Sequence, residues 1–258
     1  MMAGVELIAL SGLPEVAAGD DLASHIAEAM RQQGLSFQNG DVLTIAHKVV
    51  SKAEGQVRNL ADVTPGEEAL RYGEQLSKDP RKVQAVLDES TRVVRAFKHP
   101  HASEGTMICE HRLGFISANA AVDESNTADE HQVILLPEDP DASAKHLLAA
   151  LEDRFGASIG IIITDTFGRP WRLGQVNVAI GLAGVPATIS EAGGLDARGR
   201  PLRVTEPAFA DEVAAASGLV IGKAAQTPVV LFRGLDWPVV SDARAGDLLR
   251  AQSEDVFR

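Results

Sequence analysis

The stretch Thr164-Asp165-Thr166-Phe167-Gly168-Arg169-Pro170-Trp171-Arg172-Leu173-Gly174-Gln175 sets a carboxylate, hydroxyls and two arginines directly after an apolar run. Asp165 and Thr166 offer adjacent hard oxygens suited to Mg²⁺ or Mn²⁺, and Arg169 and Arg172 can fork onto carboxylate or phosphate. The competing reading is a capped turn with surface arginines. A second stretch, Ser117-Ala118-Asn119-Ala120-Ala121-Val122-Asp123-Glu124-Ser125-Asn126, presents Asp123 and Asn126 at a short loop spacing. Such a pair can serve a metal and a phosphate oxygen, although Asp and Asn are also common turn formers. A third stretch, Ala46 to Gly55, carries Lys48 and Lys52, which could supply point charges to phosphate or could be ordinary solvated lysines.

Familiar signatures are missing. Gly218 to Lys223 falls one residue short of phosphate-loop spacing, and Ala224 stands where a hydroxyl would ligand magnesium. No Gly-x-Gly-x-x-Gly or His-Glu-x-x-His pattern occurs, and His99-Pro100-His101 lacks the spacing of two helical imidazole ligands.

Composition narrows the partners. A net charge of -12 over 258 residues, with no Lys/Arg cluster, disfavours nucleic acid. An acidic protein handling anionic substrates must neutralise them locally, with a few placed cations or with divalent metal. Cys109 is the single cysteine, so no internal disulfide and no thiolate-rich cluster can form. The longest apolar runs, such as Ile159 to Ile163, are too short for a bilayer, and the N-terminus lacks the form of a secretion signal; no membrane partner and a cytoplasmic location are expected.

The elements that must position these groups read as a mixture of helix and strand. Strands are expected at Val5 to Leu10, Val42 to Ala46, Arg92 to Ala96, Gly114 to Ser117, Ile159 to Thr164 and Pro228 to Phe232. Helices are expected after Gly19-Asp20-Asp21, Thr64-Pro65 and Asp79-Pro80, over Ser143 to Phe155, and through Phe209, Val213 and Ala216. His99 to Glu110 and Glu124 to Pro140 read as looser stretches. No repeat or linker marks a boundary, so residues 1–258 are taken as one unit with no internal boundary assigned.

Taken together, GLPEV, GDVLTIAHKVVSKAEGQV, LSKDPRKVQAVLDES, ISANAAVDESN, LLPEDPDASA, ITDTFGRPWRLGQVNVAIGLAG and GKAAQTPVVLFRG resemble the F420-0:gamma-glutamyl ligase family nearly end to end. The resemblance implies an α+β, two-lobed ligase fold without a P-loop, forming an intertwined homodimer. It implies a GTP-dependent enzyme joining L-glutamate to F420-0 through an acyl phosphate and releasing GDP and phosphate, with a second gamma-linked glutamate as a further step. By the same carry-over Asp123, Asp165 and Thr166 are metal ligands for Mg²⁺ or Mn²⁺, with K⁺ as a candidate monovalent ion. Leu13, Pro14, Glu15, Val16, His47, Lys48, Lys52 and Asn126 touch GTP, joined by Gly222 and Gln226 from a less secure segment. Asp123, Asp165, Arg169 and Arg172 form the expected catalytic set, the arginines as clamps for a substrate carboxylate.

Two departures stand out: Ala121-Val122 where the family commonly has Gly-Ile, and His47-Lys48 where smaller or polar residues are usual. An amide ligase acting on another small carboxylate and a non-catalytic nucleotide-binding protein are the alternatives. The sequence stops soon after GKAAQTPVVLFRG, without the flavin-reductase-like domain of some related chains, so short glutamate tails are expected.

Overall fold

A computed structural model describes residues 4–127, 129–222 and 226–256. In chain order the elements are β1 (Glu6–Leu10), α1 (Leu22–Gln32), β2 (Val42–Ala46), α2 (His47–Ala53), β3 (Val57–Asn59), α3 (Glu67–Leu76), α4 (Pro80–Asp88) and β4 (Ser90–Phe97). These are followed by β5 (Thr106–His111), β6 (Ile116–Ala118), β7 (Gln132–Ile134), α5 (Pro140–Phe155), β8 (Gly160–Arg169), β9 (Arg172–Ala183), α6 (Phe209–Ser217) and β10 (Val229–Arg233). The protein is a mixed α and β fold, as its sequence suggests.

Local chemistry explains the helix starts. Asp21, Asp79 and Asp139 each accept a hydrogen bond from a backbone N–H of the first helical turn, and Pro80 and Pro140 fill first-turn positions where an N–H would go unused. Gly156 ends α5 at φ 66°, in the left-handed region.

The main sheet has the order β1-β10-β2-β8-β9, antiparallel throughout except for the central parallel pair β2 and β8. Ile161, Ile162 and Ile163 are all fully buried, so β8 is covered on both faces and shows no inside-outside alternation there. Helices α5 and α6 pack on β8 and β9, and α1 packs on α5. A three-stranded sheet, β4-β5-β6, gathers its own apolar cluster around Leu76, Val83, Met107 and Cys109, while β3 pairs with β7.

Several expectations are revised. β8 does not stop at Thr164 but runs to Arg169, because beyond the fully buried run the residues alternate between half-buried and exposed: Asp165 and Phe167 face inward, Thr166 and Gly168 outward. The Asp165 motif therefore lies within a strand that turns back at Pro170-Trp171 into β9, an element the Gly- and Arg-rich sequence did not announce. Part of each looser stretch is also ordered, as β5 and as β7 with the first residue of α5. The segment after Ala46 is helical, α2, and α3 begins behind Gly66 rather than at Thr64-Pro65. Lys223 and Ala224 lie outside the described residues. No helix among the described residues is long and apolar enough to cross a membrane.

Gly181 shows how closely helix and sheet approach. A Cβ there would lie 2.5 Å from the Pro140 carbonyl oxygen, at the first residue of α5. Gly181→Ala must push backbone apart, so urea unfolding should show a loss of about 1–3 kcal/mol. An unchanged midpoint would mean that α5 does not seat against β9 as described.

Candidate active site

The parallel pairing of β2 with β8 creates the site. Ala46 is in register with Thr164, so the next residues, His47 and Asp165, leave the carboxyl end of this strand pair side by side. Such ends are where open α/β sheets place ligands. His47 is fully buried at the start of α2; its Nδ1 lies 3.2 Å from Ser51 Oγ one turn on. Its Nε2 is 3.3 Å from Asp165 Oδ1, in a geometry that falls short of a hydrogen bond. Asp165 Oδ1 also accepts the Thr166 N–H at 2.6 Å.

Asp123 approaches from the other side. Its backbone N–H and C=O both bond to Ile134, at 3.0 and 2.8 Å, which anchors the segment to β7. Lys48, next along α2 from His47, reaches Asp123 Oδ2 at 2.7 Å and donates to Ser125 Oγ at 2.5 Å. The Ser125 N–H donates to Asp123 Oδ1 at 2.6 Å. Burial pushes the Asp123 carboxyl up, but the Lys48 ammonium and the Ser125 bonds outweigh it and hold it below the usual carboxylate range. Lys52, one turn further, pairs with Glu15.

Two cavities meet here. The first, of about 360 Å³, is lined by residues of the Ser117 to Ser125 segment and by Asp165 to Gly168 with Gln175. The second, of about 310 Å³, takes in Leu13 to Val16, His47, Lys48, Lys52, Asn126, Gly222 and Gln226, every residue expected to touch nucleotide. Ser125, Asp165 and Thr166 belong to both. Asp123, the other expected metal ligand, lines the first cavity. Arg169 and Arg172 stand apart: they face each other across the β8–β9 turn, are exposed, and line neither cavity. Arg169 donates to the Leu173 carbonyl at 2.5 Å.

The donor set suits a hard divalent ion, since Asp123, Asp165 and Thr166 contribute only oxygen. No three His, Cys, Asp or Glu side chains among the described residues converge into a metal cage. An ion held by these few groups keeps positions for water or phosphate, the arrangement Mg²⁺ adopts in phosphate-handling sites.

The backbone conformation and buttressing contacts of the site carried no sequence signal. Asn119, Ala120 and Ala121 all lie in the left-handed region, with φ of 51°, 49° and 57°, and Asn126 and Gln226 do so at 61° and 49°. Strained backbone of this kind persists only where its surroundings over-determine it. Here the Asn119 Oδ1 accepts from Lys78 Nζ and from the Met107 N–H, both at 3.3 Å. Burial lowers the pKa of the Lys78 ammonium. Lys82 pairs with Glu124 at 2.6 Å on the same segment. Thus the LSKDPRK phrase buttresses the Asp123 loop from behind. A lysine in a polar phrase reads as surface, so its burial was not legible.

A fold of this kind hosts many activities, so geometry alone names none. Comparison with known proteins sets the chain among ligases, and it is an enzyme of that class. It belongs to the F420-0:gamma-glutamyl ligase family, whose sequence profile matches residues 12–234. A Methanothermobacter thermautotrophicus protein called coenzyme F420:L-glutamate ligase is 42% identical over 257 residues, 99% of each chain. Proteins of the same name from Methanopyrus kandleri and Methanocaldococcus jannaschii are 42% and 37% identical, over 100% and 98% of this chain and 100% and 97% of theirs.

The left-handed Ala121 allows a direct check. A left-handed non-glycine residue costs roughly 1–2 kcal/mol, and the added chain entropy of glycine returns roughly 0.5–1 kcal/mol of that. Ala121→Gly should therefore stabilise, by up to roughly 1.5 kcal/mol, in urea unfolding. A clear loss of stability would contradict the turn's conformation.

Proposed function

We propose that the enzyme joins the carboxylate of F420-0 to the amine of L-glutamate at the expense of GTP. One observation carries this reading: the residues expected for nucleotide share one cavity, which meets a second cavity at Asp165, Thr166 and Ser125. The guanine nucleotide occupies the cavity bounded by Leu13 to Val16 and Gln226, with Lys48 and Lys52 near its phosphates as point charges. The deazaflavin carboxylate enters from the other side, through the cavity behind Asp123.

Asp123, Asp165 and Thr166 would hold Mg²⁺ or Mn²⁺ at the junction, where such an ion screens the charge of triphosphate and carboxylate. The Thr166 N–H fixes the Asp165 carboxylate, with His47 packed against it, and Lys48 and the Ser125 N–H fix that of Asp123. In the first step a carboxylate oxygen attacks the γ-phosphorus and the bond to the β-phosphate oxygen breaks, giving acyl phosphate and GDP. In the second, the glutamate amine attacks the acyl carbon and phosphate leaves, with the amine proton passing to solvent. A carboxylate is too poor an acyl donor to react without the first step. A second gamma-linked glutamate follows by the same chemistry, and K⁺ is a further cation for the phosphates.

The exposed hairpin supports a homodimer. Trp171 is 81% and Leu173 96% exposed at its tip, an arrangement suited to burial against a second copy. Leu173→Glu should halve the mass seen by light scattering; an unaltered dimer would place the interface elsewhere.

The mechanism is tested with F420-0 carrying ¹⁸O in its carboxylate. One labelled oxygen should appear in the released phosphate, with GDP as the spent nucleotide. Pyrophosphate formed in step with the amide, or unlabelled phosphate, would overturn the acyl-phosphate route.

A further inference from the structure

The Thr166 hydroxyl can face the cavity junction either with its proton or with its lone pairs, and only the second suits a cation ligand. A short chain of hydrogen bonds decides between them. Ser217, fully buried at the last turn of α6, lies with Oγ 2.6 Å from the Ala214 carbonyl oxygen. A carbonyl cannot donate, so the Ser217 proton is spent there and its oxygen is left to accept. The Asn177 amide on β9 lies 3.0 Å from that oxygen and must present its Nδ2 as donor. Its Oδ1 then faces Thr166 Oγ1 at 2.8 Å, and an amide oxygen can only accept. Each donor is therefore assigned from the buried end outward, and the Thr166 proton points away from the junction.

We infer that Asn177 is a positioning residue: with Ser217 behind it, it locks the Thr166 hydroxyl so that its lone pairs serve a hard cation. The inference rests on the proposed cation site at Asp123, Asp165 and Thr166. Asn177 also lines the second cavity, and α6 leads directly into the segment that carries Gly222. The relay therefore ties the cation junction to the far wall of that cavity. Partners that orient metal ligands from behind commonly change metal affinity by about 10–100-fold.

Manganese binding provides the test. Free Mn²⁺ is followed by electron paramagnetic resonance while the ion is titrated into the full chain with GDP present, alongside thermal melts to establish folding. Asn177→Leu, which keeps the size and removes the acceptor, should weaken Mn²⁺ by about tenfold. Ser217→Ala, which touches neither cavity, should weaken it too, because the amide is then free to turn its Nδ2 toward Thr166. Thr166→Val should weaken binding at least as much as Asn177→Leu. The double variant Thr166→Val with Asn177→Leu should be no worse than Thr166→Val alone, since both remove one ligand. A purely structural role for Asn177 would instead give additive losses. Folded Asn177→Leu and Ser217→Ala proteins that bind Mn²⁺ within twofold of wild type would overturn the inference, as would additive losses in the double variant. Asp165→Asn separates the two levels: if it abolishes binding while Asn177→Leu does not, only the positioning role falls. If Asp165→Asn binds normally, the cation site itself is wrong.

Discussion

The parallel register between β2 and β8 is the constraint on which the site depends. Because Ala46 pairs with Thr164, α2 begins where Asp165 emerges, and His47 is forced against that carboxylate. One residue later the helix turns Lys48 toward Asp123, and one turn later Lys52 reaches Glu15. Slipping the register by one residue would exchange the faces of β8 and carry Asp165 away from α2. The buried isoleucines Ile161 to Ile163 make such a slip costly, since it would repack a fully covered strand.

Electrostatics shows how so acidic a chain could handle the proposed anionic substrates here. With a net charge of -12, attraction of nucleotide to the surface as a whole is not available. At the second cavity α2 supplies two cations, Lys48 and Lys52, both already paired with carboxylates. An incoming phosphate must compete with Asp123 and Glu15 for these lysines. A divalent ion that took over Asp123 would release Lys48 for that purpose, so on the proposed function ion and nucleotide would favour one another by charge balance. The left-handed turn at Asn119 to Ala121 fits this arrangement: strain held by buried Lys78 keeps the Asp123 loop in place before any ligand arrives.

How far the fold was legible varies with the kind of signal. Asp79-Pro80 and Gly156 act locally, through caps and fixed backbone angles, and were readable, whereas the Asp139-Pro140 start of α5 fell in a stretch read as loose. β9 was not, because Gly174, Gln175 and Asn177 suppress an apolar pattern that only tertiary packing restores at its far end. The segment after Ala46 hid α2, whose seven residues show too little helical periodicity to read. The residues that family resemblance assigns to nucleotide, from Leu13 to Gln226, fall on one cavity although they are scattered along the chain. Arg169 and Arg172 looked equally suited to chemistry by type, yet the hairpin carries them away from both cavities. Lys78 and Asn177 act through a partner fixed in three dimensions, which residue type and spacing do not encode.

One place matters most, the junction where Asp123, Asp165 and Thr166 border the cavity proposed for nucleotide. The most direct test is the anomalous scattering of manganese in crystals grown with Mn²⁺ and GDP. The predicted result is a manganese peak bonded to these three side chains and to the GDP phosphates, with the nucleotide running between Leu13 to Val16 and Gln226. A peak elsewhere, or GDP bound outside that cavity, would contradict it.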